Sequence, residues 1–388
     1  MLNKGNLRRR AILSLIMLIF LSGCGEKEQM APNIKTILES DAAVPTEFST
    51  NDDNTPAMIP TPELPINPLT GVAVQDPTRL DRKPVFVKVS NYPVIGRPHA
   101  GLSFADMVFE YYIGSGQNRF MAVFYGQDAI QIGPVRSGRR VDAEIVPMYS
   151  GILGYGSADA DTDEVIVNAL GRYAISHLEG PCPAFCGEET HSATGVFANS
   201  AAISEWVDMQ GWQNDAPDLP GMFFQETPPD GMQPGQSLMI LFNYYNRGEW
   251  RFDNETGKYL RLIEEIENYG TEDESIQMTP LVDRITGEQL AFSNIILMFA
   301  KYEELAPTAH AIEIWKNDNG RPAYLFRDGG MIEGQWAAPN DTDPIQFSYQ
   351  DGRPLPLKPG NTWIAIMGIN STFNQPSPGE WESFFFLP

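Results

Sequence analysis

Runs of apolar residues separated by turn-forming clusters divide this chain into predicted elements. Met107-Val-Phe-Glu-Tyr-Tyr-Ile113 and Arg119-Phe-Met-Ala-Val-Phe-Tyr125 are rich in β-branched and aromatic residues. Gly114-Ser-Gly-Gln-Asn118 between them has hairpin length. Near-continuous apolar character predicts strands covered on both faces. Val85–Val89 and Ile152–Gly156 read the same way, and Ser90–Pro98, with two prolines, reads as a loop. Helical spacing appears at Arg139–Tyr149 and at Asp161–Arg172, the latter with acids in its first turn. A helical turn is expected at Leu102–Asp106.

Beyond residue 235 the pattern is almost entirely of strand type. Leu238–Tyr245, Asn294–Phe299, His310–Ile314, Ala323–Phe326 and Trp363–Ile366 are strand-like. Glu249–Phe252 and Lys258–Arg261 flank Asp253–Gly257 as a second hairpin. Glu264–Glu274 is acidic and reads as a loop. The predicted fold is α+β in two domains. An N-terminal α/β-type mixed-sheet domain spans 66–225, a mostly antiparallel β-rich domain spans 235–370, and 371–388 form a tail.

The N-terminus is built differently. Lys4, Arg8, Arg9 and Arg10 precede an apolar stretch, Ala11–Leu21, too short to span a bilayer. Leu21-Ser22-Gly23-Cys24 follows and resembles the bacterial lipobox. Residues 1–23 are thus expected to be a lipoprotein signal peptide, with Cys24 acylated (palmitate) and the protein anchored on the extracytoplasmic side of the membrane. Residues 24–65 are rich in Pro, Thr, Asp, Asn and Glu and poor in aromatics, the composition of a disordered tether. Such a tether would hold a folded part on the order of 35 Å from the bilayer.

Charge narrows the partners. The chain has 27 Lys and Arg against 50 Asp and Glu, a net −23. Removing residues 1–23 takes away four positive charges and no acids, leaving −27. This disfavours nucleic acid and anionic lipid surfaces, so the acyl group alone is expected to hold the membrane.

Against that background the basic residues stand out. Arg119, Arg136, Arg139 and Arg140 crowd around Gly133-Pro-Val-Arg-Ser137, and Arg97 lies in the preceding loop. A guanidinium group offers a planar fork of donors suited to carboxylate or phosphate. Arg97, Arg119, Arg136, Ser137, Arg139 and Arg140 are therefore a candidate anion site. The alternative is that these arginines pair with the chain's own acids.

Four further sets of residues are candidates. His177, Cys182, Cys186 and His191 form an H-x4-C-x3-C-x4-H pattern, read as a Cys182–Cys186 disulfide, as a zinc set or as free thiols. Asp159, Asp161 and Asp163 resemble the start of a calcium loop, though Glu164 and Leu170 fail the EF-hand template. Asp106 and Glu110 would share a strand face about 13 Å apart, wide for glycan hydrolysis. Gly154-Tyr-Gly156 lacks the third glycine of a dinucleotide fingerprint, and neither G-x-S-x-G nor H-E-x-x-H occurs. No catalytic residue is assigned and no cofactor is expected.

Arg97-Pro-His-Ala-Gly-Leu-Ser-Phe-Ala-Asp106, Arg119-Phe120 and Ile132-Gly-Pro-Val-Arg-Ser137 together resemble the YerB-like bacterial lipoproteins. Trp250-Arg-Phe-Asp253, Asp283-Arg-Ile-Thr-Gly287, Asn294 and Leu357-Lys-Pro-Gly-Asn-Thr-Trp-Ile364 extend the resemblance over nearly all of the expected folded part. The chain departs from that pattern at Ser90-Asn91, usually Asp-Asn, and at Gly114-Ser-Gly116, usually Glu-Gly-Gly. The resemblance implies two domains of unknown function on a lipidated envelope protein. The resulting expectation is a non-enzymatic binding or scaffold protein with an arginine-lined anion site, its partner a cell-wall polymer or envelope protein. A wall-glycan enzyme and a cation-binding envelope protein are the alternatives.

Overall fold

The computed structural model describes residues 64–187, 194–265 and 276–387. These residues fall in one compact unit. In the N-terminal half the main elements are β1 (Val85–Ser90), β2 (Met107–Gly114), β3 (Gln117–Phe124), α1 (Asp142–Met148), β4 (Ile152–Tyr155), α2 (Ala160–Leu170), β5 (Ala174–Ser176) and α3 (Ser200–Met209). In the C-terminal half they are β6 (Gln233–Asn243), β7 (Asn246–Asp253), β8 (Lys258–Glu264), β9 (Asn294–Ala306), β10 (Ala309–Glu313), β11 (Asn317–Arg327), β12 (Gly330–Ala338), β13 (Thr362–Gly368) and β14 (Gly379–Phe384).

One mixed sheet runs through both halves in the order β5-β4-β1-β3-β2-β13-β9-β11-β12. The predicted hairpin is its centre: β2 and β3 pair antiparallel, with Glu110 opposite Phe120 and Tyr111 opposite Arg119. β13 lies parallel to β2 on one side, Met107 facing Thr362, and parallel to β9 on the other. The stretches 66–225 and 235–370 thus contribute neighbouring strands to a single sheet. A second layer, β14-β6-β7-β8, joins it where Pro234 pairs with Gly330.

The architecture is mainly β, with its α-helices among the described residues all in the N-terminal half. The expected α+β character is therefore carried by α1, α2 and α3 alone. α2 starts where Asp159 accepts a hydrogen bond from the Thr162 amide, and α3 where Asn199 accepts one from Ala202. The sequence reading placed a helix at each of the first two positions and none at the third. The expected turn at Leu102–Asp106 is a short 3-10 segment, Leu102–Phe104.

Both faces of the central hairpin are covered, as its apolar run requires. On one face Phe86 and Phe109 pack against Tyr149 just after α1, with ring centroids 5.7 and 6.3 Å apart. On the other, Phe120 meets Trp363 of β13 at 5.0 Å, and Trp363 meets Trp250 of the second layer at 5.1 Å. Trp250 and Trp363 are both fully buried. Each face also carries charged residues, and these define the sites below.

Candidate functional site

Strand alternation builds the first site. On the face covered by α1, Lys88 of β1, Tyr111 of β2 and Arg119 of β3 stand close together, because Arg119 lies opposite both Ser90 and Tyr111. The loop Gly133–Gly138 closes over the ends of β1 and β4. The Arg136 amide donates to the Lys88 carbonyl at 3.0 Å, the Gly156 amide to the Arg136 carbonyl at 2.8 Å, and the Gly138 amide to the Ser157 carbonyl at 2.8 Å. Gly138 is fitted to this approach, since a Cβ there would lie 2.5 Å from Ile166. The loop thereby delivers Arg136, Ser137 and Arg139 to the residues of the sheet.

The resulting cluster is rich in cations. Lys88 and Asp142, both excluded from solvent, form an ion pair at 3.0 Å. The Tyr111 hydroxyl hydrogen-bonds with both of them. The other Asp142 oxygen accepts from the Arg139 amide at 2.7 Å. Each Asp142 oxygen thus has at least one donor. Arg119, 5% exposed, donates to the Ser137 carbonyl at 3.0 Å, and Arg139 to the Gly138 carbonyl at 2.8 Å. The Arg136 side chain makes no hydrogen bond or ion pair among the described residues, and the Nε atoms of Arg119, Arg136 and Arg139 are all buried without a partner.

Electrostatics follow from this crowding. Burial pushes the Lys88 ammonium down to about 8, opposed by Asp142 and aided by Arg119 and Arg139. Burial, then Arg139 and Arg136, hold Arg119 well below the usual guanidinium value. Arg139 is lowered chiefly by burial against the pull of Asp142 and Asp159. Four cations, Lys88, Arg119, Arg136 and Arg139, thus stand near two carboxylates, Asp142 at the centre and Asp159 beside Arg139. Sequence reasoning had Arg119, Arg136, Ser137 and Arg139 but not Lys88, Tyr111 or Asp142. A lysine amid Val85-Phe-Val-Lys-Val89 was the available signal for the first.

The structure separates Arg97 from this group. Its guanidinium pairs with Glu264 at 2.7 Å, donates to the Asn91 side chain at 3.1 Å and lies over the Tyr92 ring. For Arg97 the pairing alternative therefore holds. Arg140 is half-buried one residue beyond Arg139 and shares none of the cluster's contacts.

The opposite face of the hairpin holds a second network, in which Nε and one terminal nitrogen of Arg261 are also buried without a partner. Glu110 accepts from Arg261 at 3.0 Å, from the Trp363 indole at 2.7 Å, and from Asn118. Arg261 lies between the rings of Trp250 and Trp363, at 4.9 and 5.2 Å. Asp106 does not converge with Glu110. Its carboxylate accepts from Asn67 and from the Tyr125 and Gly126 amides, at 3.0, 2.6 and 2.8 Å. It borders a cavity of about 490 Å³ shared with Asp76 and Asp128.

The remaining candidates are placed as follows. Asp159 caps α2, Asp161 is exposed, and Asp163 accepts from the Tyr155 hydroxyl at 2.8 Å. No group of three His, Cys, Asp or Glu side chains suited to a metal occurs among the described residues. Cys182 and Cys186 are at disulfide distance, their Cα atoms 5.0 Å apart, while His177 turns to the Gly156 carbonyl. His191 and Cys24 lie outside the described residues. No helix among the described residues is long and apolar enough to cross a membrane.

Comparison with known proteins places this geometry in a family. Residues 69–213 match the N-terminal domain, and residues 239–364 the C-terminal domain, of a protein family of unknown function, DUF3048. The Bacillus subtilis (strain 168) protein named "Putative lipoprotein YerB" is 24% identical over 305 residues, covering 77% of this chain and 85% of its own. The crystal structure of YerB from Bacillus subtilis superposes with a TM-score of 0.63 at 24% identity, covering 78% of this chain and 96% of that one. With both domains matched in order over more than half of its length, the chain belongs to the DUF3048 family of YerB-like proteins.

Proposed function

We propose that this protein is an extracytoplasmic lipoprotein, anchored through acylated Cys24, that binds an anion with Lys88, Arg119, Arg136 and Arg139. The observation that carries the reading is the surplus of buried cationic groups. Three guanidinium groups keep a buried, unpaired Nε, and the one enclosed carboxylate, Asp142, is taken up by Lys88, Tyr111 and the Arg139 amide. Burying unpaired charge costs several kcal/mol, and a bound anion offsets that cost. Arg136 and Arg139 are only half-buried, which supports access from solvent.

The anchor rests on Leu21-Ser22-Gly23-Cys24 and on the lipoprotein name of the Bacillus relative. Residues 24–65 act as the tether. The partner is a cell-wall polymer or envelope protein that presents an acidic group. Binding rather than catalysis is favoured because Glu110 is locked by Arg261, Trp363 and Asn118.

Thermal unfolding with sulfate tests the binding site. Sulfate at about 100 times its Kd stabilises a binding-competent fold by roughly 2.7 kcal/mol. The expected result is stabilisation of the wild type that is lost in Arg136→Ala. A wild type indifferent to sulfate, phosphate and carboxylates alike would end the anion-binding reading. The anchor is tested separately by Cys24→Ala, which is expected to release the protein from the membrane fraction.

A further inference from the structure

Resting on the reading of this cluster as an anion site, we propose that its ligand is a phosphate monoester, a dianionic phosphoryl group, rather than a carboxylate. The cluster already answers what a carboxylate does there. Asp142 brings one charge, and its oxygens are divided among the Lys88 ammonium, the Tyr111 hydroxyl and the Arg139 amide. Arg119, Arg136 and Arg139 are left over. Among the described residues their side chains hydrogen-bond only to the Ser137 and Gly138 carbonyls, and the two carboxylates that act on them, Asp142 on Arg119 and Arg139 and Asp159 on Arg139, are fewer than the cations gathered there.

Those three guanidinium groups come from separate places: the sheet at Arg119, the near end of the loop at Arg136, and its far end at Arg139. A second carboxylate presents two coplanar oxygens and one charge, the geometry that matches a single guanidinium fork. A phosphate monoester carries a charge of about −1.5 to −2 and three acceptor oxygens in a tetrahedral arrangement. It can give each arginine its own oxygen and come closer to balancing the surplus. The same chemistry is available from free inorganic phosphate and from the phosphorylated end of an envelope glycan.

The second proton of the monoester makes the proposal testable by pH. Charged or titratable groups facing the site are Lys88 on β1, Tyr111 on β2, Arg119 on β3, Arg136 and Arg139 on the loop, Asp142 on α1 and Asp159 at the start of α2. His310 on β10 also lies within reach of the Arg139 charge. Sulfate, a dianion throughout, reports any titration of these protein groups.

The experiment is calorimetric titration of the full chain with N-acetylglucosamine 1-phosphate, inorganic phosphate, sulfate and acetate at pH 5.5 and 7.5. The monoester is expected to bind about fourfold more tightly at pH 7.5, because its second proton leaves near pH 6. Sulfate should change by less than about twofold, and acetate should bind about tenfold more weakly than the monoester at pH 7.5. Arg136→Lys keeps the charge, removes the fork and disturbs no internal hydrogen bond, so it should weaken the phosphate probes about tenfold. Preference for inorganic phosphate or for the sugar phosphate supports the proposal in either case and identifies the source. Acetate binding as tightly as the monoester, or monoester affinity that tracks sulfate across the two pH values, overturns the phosphoryl proposal and leaves the anion site standing. Absence of binding by all four overturns both.

Discussion

Lys88 and Asp142 meet at 3.0 Å with neither side chain exposed, under a tyrosine hydroxyl and beside Arg119 and Arg139. Burial lowers Lys88 from 10.5 to about 8. Between those values the unfolded chain holds a proton that the folded chain has released, so stability rises with pH through that window. The full effect is at most about 3.5 kcal/mol, at about 1.4 kcal/mol per pKa unit. Above about pH 10 the unfolded chain's tyrosines ionise while buried ones such as Tyr149 do not, and stability turns down again. Urea unfolding between pH 7.5 and 10 should show the rise in the wild type and its absence in Lys88→Met. Equal slopes for the two proteins would contradict the assignment.

Arg119 is expected to show a conflict between stability and binding. It is buried beside like charges, with one carbonyl as its hydrogen-bond partner. Replacing buried charge by an apolar side chain of similar volume stabilises by about 1–4 kcal/mol when the charge lacks adequate compensation. Arg119→Met should raise the thermal midpoint without ligand and abolish stabilisation by sulfate. A variant less stable than the wild type would show that the Ser137 contact outweighs the burial of charge.

Glu110 and Arg261 tie the two halves of the chain together, and Gly248 makes room for them. A Cβ at position 248 would come within 2.0 Å of the Arg261 guanidinium. Gly248→Ala therefore displaces Arg261 from Glu110, and uncoupling a buried pair costs about 3–5 kcal/mol. Arg261→Met should cost a similar amount. Because both changes remove one interaction, the double variant should be little worse than either alone, which a double-mutant cycle in urea would measure.

Asp106 should make the fold sensitive to pH in the acidic range. Burial raises its carboxyl from 3.8 to about 7, against the three N–H donors that it accepts from. Between those values the folded chain keeps a proton that the unfolded chain loses, so this group's contribution falls as pH rises from about 4 to 7. Relative to Asp106→Asn, the wild type should lose stability across that interval, by up to roughly 4 kcal/mol. A difference between the two proteins that does not vary with pH would place the Asp106 carboxyl in the ordinary range.

Much of the fold was legible because local chemistry specifies it. The runs 107–113 and 119–125 are too apolar to be anything but strands covered on both faces, and Gly114–Asn118 is a turn by composition. Asp159 announces the start of α2 by the same hydrogen bond that it makes in the structure. α3, Ser200-Ala-Ala-Ile-Ser-Glu-Trp-Val-Asp-Met209, is absent from the predicted elements although Asn199 caps it as Asp159 caps α2. The parallel pairing of β2 with β13 could not be read at all. Strand partners some 250 residues apart leave no mark in local periodicity.

The candidate site divides in the same way. A lipobox-like leader, a polar segment after it, strongly acidic composition and a knot of arginines around Gly133–Arg140 are all legible in the chain, because each is a property of neighbouring residues. Only the tertiary structure decided which arginines stay unneutralised. It sent Arg97 to Glu264, brought Lys88, Tyr111 and Asp142 from β1, β2 and α1 to Arg119, and paired Asp142 with Lys88. Whether a charge is balanced depends on what is packed within a few ångströms of it, and packing joins residues that the sequence keeps far apart.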